Sequence, residues 1–131
     1  MKERLIKFAV ILIDLSRQLN RSVHGRNLAS QIERSGTSVA LNFGEALEAS
    51  SKRDFIFKMN LILKELRETE MNLCIIQKSN ILNNSDPLIT AIKECDELIS
   101  IFVVSIKTAK RNLAMKGERR SSLKGERRME K

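Results

Sequence analysis

The sequence predicts an all-α protein built as an antiparallel, up-down-up-down four-helix bundle. Three observations carry this. Apolar residues recur at steps of three and four in four long segments. One Pro and five Gly in 131 residues leave few helix breakers. The links between segments are short, which makes successive helices antiparallel neighbours. A chain of this length is one domain and can bury a core without disulfides or a metal. Its 42% hydrophobic and 31% charged residues fit neither a disordered chain nor a membrane protein.

The first helix is expected over residues 2–19, with Leu5, Phe8, Leu12, Leu15 and Leu19 turned inward and a turn-rich stretch, Asn20 to Gly25, ending it. The second should span 26–48, burying Leu28, Ile32, Ser35, Val39, Phe43 and Ala46. Ser51 and Asp54 then form a capping-box-like start: the hydroxyl accepts a backbone N–H and the carboxylate faces the positive helix end. From there a third helix over 52–79 turns Phe55, Met59, Ile62, Leu66, Thr69, Leu73 and Ile76 inward. Asp86-Pro87 marks the fourth start, since Asp can cap and Pro tolerates an early helical position. There Leu88, Ile92, Cys95, Ile99, Phe102, Ile106, Ala109 and Leu113 keep a seven-residue repeat over 87–115. The bundle domain is thus residues 1–115.

Two features exceed what a lone bundle needs. Leu5 through Leu15 spread apolar side chains over roughly 260° of the first helix, against a stripe of little more than about 100° on an ordinary surface helix. Gly36, Ala40 and Gly44 step by four along the second helix, and each interior glycine costs ~1 kcal/mol against Ala. A close approach by another helix, within the subunit or across an interface, would compensate. Ile6, Val10, Ile13, Gly36, Ala40 and Gly44 are therefore assigned to contacts between copies. Arg34, Ser38, Asn42 and Glu45 form a polar seam beside the small residues, expected to pair with Arg53, Lys58 or Lys64; a solvated face is the alternative.

The stretch Arg34-Ser35-Gly36-Thr37-Ser38-Val39-Ala40-Leu41-Asn42-Phe43-Gly44-Glu45-Ala46 resembles the signature of the four-helix-bundle family named for proteins encoded in 23S ribosomal RNA intervening sequences. The resemblance continues through Ser51 to Phe55, Lys58-Met59, Lys64-Glu65 and Arg67 to Glu70, and returns at Ile106 to Lys110. It implies a ring-like homopentamer, which would account for the wide apolar face of the first helix. It also implies kinship with the accessory protein of diversity-generating retroelements, a basic pentameric bundle that works with a reverse transcriptase and binds nucleic acid.

The residues offer little for catalysis. His24 is the single histidine, beside Gly25 in a predicted loop, with no nucleophile–base pair or Gly-rich phosphate loop. Glu45, Glu65, Glu68 and Glu70 lack the following His of a bundle metal site, and ion pairs such as Lys64 with Glu68 explain them better. No metal or cofactor is expected. Cys74 and Cys95 read as free thiols. Lys7 and Asp14 interrupt the first apolar run, which falls short of the ~20 residues that span a bilayer, and no cleavage site follows it. The chain is read as cytoplasmic.

Charge is the stronger functional signal. The net charge is +8 and the isoelectric point 9.9. Residues 116–131 hold seven Lys or Arg against three Glu, in an imperfect eight-residue duplication. Gly117, Gly125 and Ser121-Ser122 are expected to fray a helix there and leave a mobile basic arm. Phosphate contacts are assigned to Lys107, Lys110, Arg111, Lys116, Arg119, Arg120, Lys124, Arg127 and Arg128. With no Tyr or Trp, and Phe8, Phe43, Phe55 and Phe102 assigned to the core, base stacking is not expected. The reading is a non-enzymatic nucleic-acid-binding accessory that presents RNA or DNA to a partner enzyme. The alternative is a structural oligomer that binds a protein.

Overall fold

The computed structural model describes the backbone of residues 1–129 and the side chains of residues 1–122. Four helices, and no strand among the described residues, make a bundle: α1 Lys2–Leu19, α2 Gly25–Leu47, α3 Lys52–Ser79 and α4 Asp86–Met129. The α2–α3 and α1–α2 pairs pack most extensively, then α3–α4, and α1 meets α4 least.

The inward rows close on one core. Leu5, Phe8, Leu12, Leu15 and Leu19 are wholly buried, as are Ile32, Val39, Ile62, Leu66, Leu73, Cys95 and Leu98. Phe43 meets the buried Phe102 edge to face, ring centroids 6.2 Å apart, the arrangement aromatic quadrupoles favour. Two hydroxyls lie in this core, Ser35 of α2 and Thr69 of α3, 2.7 Å apart. Each also has a backbone carbonyl within its own helix, Ile32 and Glu65. Burial without such partners would cost each group a full desolvation penalty.

The termini follow local chemistry. Ser51 Oγ accepts the Asp54 N–H at 3.0 Å, and Asp54 Oδ2 accepts the Ser50 N–H at 3.4 Å. Asn80 closes α3 in the left-handed region, φ 54°, a conformation Asn tolerates. At α4 the cap differs from expectation: Asn84 Oδ1 accepts the Asp86 N–H, and Pro87 takes the second helical position, whose N–H has no intrahelical partner either.

Two sequence-based assignments are corrected. The fourth helix does not end near residue 115 but continues through Gly117 to Met129. A Cβ on Gly117 would meet nothing within 4 Å, and two glycines and a Ser pair, at a cost of ~1 kcal/mol or less each, do not stop propagation from an already packed helix. Gly36 is not at an interface between copies. A Cβ there would lie 2.6 Å from Leu12 Cδ1 of α1, so the missing side chain lets α1 and α2 approach within the subunit. Ala40 is half-buried against the core, and Gly44 is exposed with open space around it.

Candidate nucleic-acid interface

Charge divides α4 along its length. From Asp86 to Ser100 it holds four carboxylates and one Lys; from Ile101 to Ser122, six cations and one carboxylate. The acidic half works inside the fold. Arg4 of α1 donates to Glu94 Oε1 and Glu97 Oε2, both at 2.6 Å, and these bonds hold its guanidinium proton above the ordinary arginine value, Glu94 contributing most. From residue 114 to 122 every α4 residue is exposed, so the cationic half runs out of the bundle.

Because α3 and α4 are antiparallel, the cationic half of α4 passes the first turn of α3. A cleft of about 690 Å³ lies between them, lined by Lys52 and Arg53 from α3 and by Lys110, Lys116 and Arg120 from α4, with no carboxylate in its lining. On the other side of α4 a second cleft, about 380 Å³, is lined by Lys52, Asn112, Met115, Lys116 and Arg119. Five cations around one cleft, with the N–H groups of a 28-residue helix at its edge, make a field that favours phosphate-sized anions.

Of the assigned phosphate contacts, Lys110, Lys116, Arg119 and Arg120 are brought together here. Lys107 and Arg111 are exposed on α4 but line neither cleft. The side chains of Lys124, Arg127 and Arg128 lie outside the described residues. Lys52 was missed by sequence reasoning, and Arg53, expected to pair with the polar seam, lines this cleft instead. Their signal was two cations in the first turn of a helix, where the macrodipole disfavours them.

The polar seam does other work. Glu45 Oε2 accepts from Lys58 Nζ at 2.7 Å, a bond that raises the lysine pKa above its ordinary value. Arg34 lies 3.5 Å from Glu65 and 3.4 Å from Glu68, so Glu68 takes a partner on α2 rather than Lys64 of its own helix. Asn42 donates to Ser38 at 3.2 Å. The Arg34 and Glu45 pairs tie α2 to α3, the Asn42–Ser38 bond lies within α2, and none of these residues lines the cationic cleft.

Unpartnered apolar surface is plentiful. Ile6 and Val10 are 41% and 49% exposed, and Ile13 is half-buried. The outer face of α3 adds Phe57, Met71 and Ile75, at 58%, 64% and 47%, a row out of phase with its inward one. Phe57 also shows that not every phenylalanine is in the core. Among the described residues no cluster of His, Cys, Asp or Glu is arranged to hold a metal ion, and no helix is long and apolar enough to cross a membrane. His24 is exposed at the start of α2.

A family model described as 23S rRNA-intervening sequence protein matches residues 1–103. The crystal structure of a protein of unknown function from the S23 ribosomal protein family of Bacteroides thetaiotaomicron VPI-5482 is 31% identical. It superposes with a TM-score of 0.74, covering 81% of this chain and 97% of that one. No curated protein matches the chain.

Proposed function

The chain belongs to the 23S rRNA-intervening sequence protein family, and from that premise we propose that it is a non-enzymatic, cytoplasmic protein that binds the phosphate backbone of RNA or DNA. The observation that carries this is the carboxylate-free cleft between α3 and α4, with Lys52, Arg53, Lys110, Lys116 and Arg120 around it. Such a cleft recognises charge and spacing, not bases. The exposed faces of α1 and α3 support assembly of copies into a ring, which we take to be a homopentamer. A ring would set several cationic α4 extensions beside one another and multiply their field. In that form the protein would present nucleic acid to an enzyme such as a reverse transcriptase.

The test is binding of a labelled structured RNA and a matched DNA duplex across a salt series, with the oligomer mass measured in the same buffers. Five phosphate contacts predict a log K against log salt slope of about −4.5 on duplex DNA, and replacing Lys116 and Arg120 by Gln should flatten it by about 2. With no Tyr or Trp, the protein hardly absorbs at 280 nm, so co-purified nucleic acid would be evident in its spectrum. A second reading, a scaffold for another protein, is favoured by the same exposed apolar faces. It prevails if an intact oligomer binds neither probe at low salt.

A further inference from the structure

The fourth corner of the bundle is filled along only part of its length. Arg4, in the first turn of α1, reaches Glu94 and Glu97, while α4 keeps buried or half-buried side chains down to Leu113. From Ile101 to Leu113, about 18 Å of helix at ~1.5 Å per residue, α4 therefore runs beside α3 and diagonal to α2, with no α1 next to it. A groove of about 520 Å³ occupies this corner, with Met1 at its upper end. Its floor is Phe43, Phe55, Met59 and Phe102, and Leu47 and Val104 on its walls are 60% and 63% exposed.

The lower end of the groove is cationic. The face of α4 that carries Ser105, Thr108 and Asn112 along the groove continues, at steps of three and four, into Met115, Lys116 and Arg119, where Lys52 joins it from α3. Asn112 lines both cavities. No carboxylate lines either one.

We infer that this groove receives an amphipathic helix of a protein partner, about three turns long, with acidic residues in its first turn. The shape selects a helix: the other three corners are helices, and an extended segment would bury backbone N–H and C=O groups without partners. The charge selects its polarity. A helix antiparallel to α4, in the place α1 leaves empty, sets its first turn against Lys52, Lys116 and Arg119. Carboxylates there meet these cations and also suit the positive end of their own helix. Its apolar stripe then lies on Phe43, Phe55 and Val104, the helix-in-groove mode of recognition. This site is separate from the cleft assigned to phosphate, although Lys52 and Lys116 border both.

The test uses the full chain and two fluorescein-labelled, end-capped helical peptides of about 14 residues. Both carry one Leu stripe; one has Glu in its first turn and flanks, the other Lys at the same positions. The Glu peptide should bind about tenfold more tightly or better by fluorescence anisotropy. Replacing the exposed Leu47 and Val104 together by Gln should weaken it about tenfold with the melting temperature unchanged. Equal affinity for the two peptides, no binding of the Glu peptide, or binding indifferent to the Leu47 and Val104 pair would overturn the inference. So would a change in oligomer mass on replacing that pair, because a second copy would then be the occupant.

Discussion

The hydroxyl pair in the core gives the most decisive test of how α2 and α3 are joined. Ser35 and Thr69 are wholly buried and 2.7 Å apart. Thr69 Oγ1 lies 2.8 Å from the Glu65 carbonyl, and Ser35 Oγ lies 3.3 Å from that of Ile32. The shorter distances assign the protons: Ser35 donates to Thr69, and Thr69 donates to Glu65. Ser35→Ala removes the inter-helix bond and leaves Thr69 one acceptor site empty. Thr69→Val keeps the shape but sends the Ser35 proton to its poorer carbonyl. Each change should cost about 1 kcal/mol. The double variant removes both partners of the same bond, so it should cost about 1 kcal/mol rather than 2, a coupling near 1 kcal/mol. Urea unfolding followed by far-ultraviolet circular dichroism would measure it, since the chain has no Trp or Tyr to report by fluorescence. Protein concentration must be held fixed, because assembly would add to apparent stability. Costs that add to within about 0.3 kcal/mol would refute the shared bond.

Gly44→Ala should stabilise the fold by about 0.8–1 kcal/mol and raise the melting temperature without changing the oligomer mass, because nothing lies within 4 Å of the added Cβ; a loss of stability would mean that another copy packs there. Gly25→Ala should act oppositely, by about 2–3 kcal/mol in chemical denaturation, since its Cβ would stand 2.2 Å from the Leu19 carbonyl oxygen, a backbone atom that no rotamer change can move. Burial pushes the Cys95 thiol up from 9.0 to about 12. The unfolded thiol ionises first, so its contribution to stability should be level below pH 9 and fall between pH 9 and 12, a decline that Cys95→Ala reduces. In the native protein a thiol reagent should titrate the half-buried Cys74 and spare Cys95. Replacing Lys52 and Arg53 by Gln should raise stability by roughly a few tenths of a kcal/mol each, because both oppose the α3 dipole, while the same pair weakens nucleic-acid binding in the salt series.

The inward rows were legible because helical periodicity is a property of each segment alone. Leu5 to Leu19 and Ile62 to Ile76 fall where the steps of three and four put them. The glycines were not, because equal spacing does not mean an equal face. A step of four residues advances about 40° around the helix, so Gly36 faces Leu12 while Gly44, two steps on, has turned to solvent. The end of α4 was misread because propensity was weighed without the packed helix that precedes it. Lys52 and Arg53 needed information no single segment holds: which helix lies antiparallel to α3, and how far α4 continues past it.

The placement of charge separates what holds the bundle from what the cationic end is for. Arg4 is matched by Glu94 and Glu97, Lys58 by Glu45, and Arg34 by Glu65 and Glu68, and all these pairs join one helix to another. Around the α3–α4 cleft the rule is reversed: Lys52, Arg53, Lys110, Lys116 and Arg120 are gathered with no carboxylate among them. Mutual repulsion, and the dipole of α3 beneath two of them, make that arrangement unfavourable for the folded subunit by itself. The family match ends at residue 103, before Lys110, Lys116 and Arg120, while Lys52 and Arg53 lie inside it. Under the proposed function, an anionic occupant would relieve this repulsion when it binds.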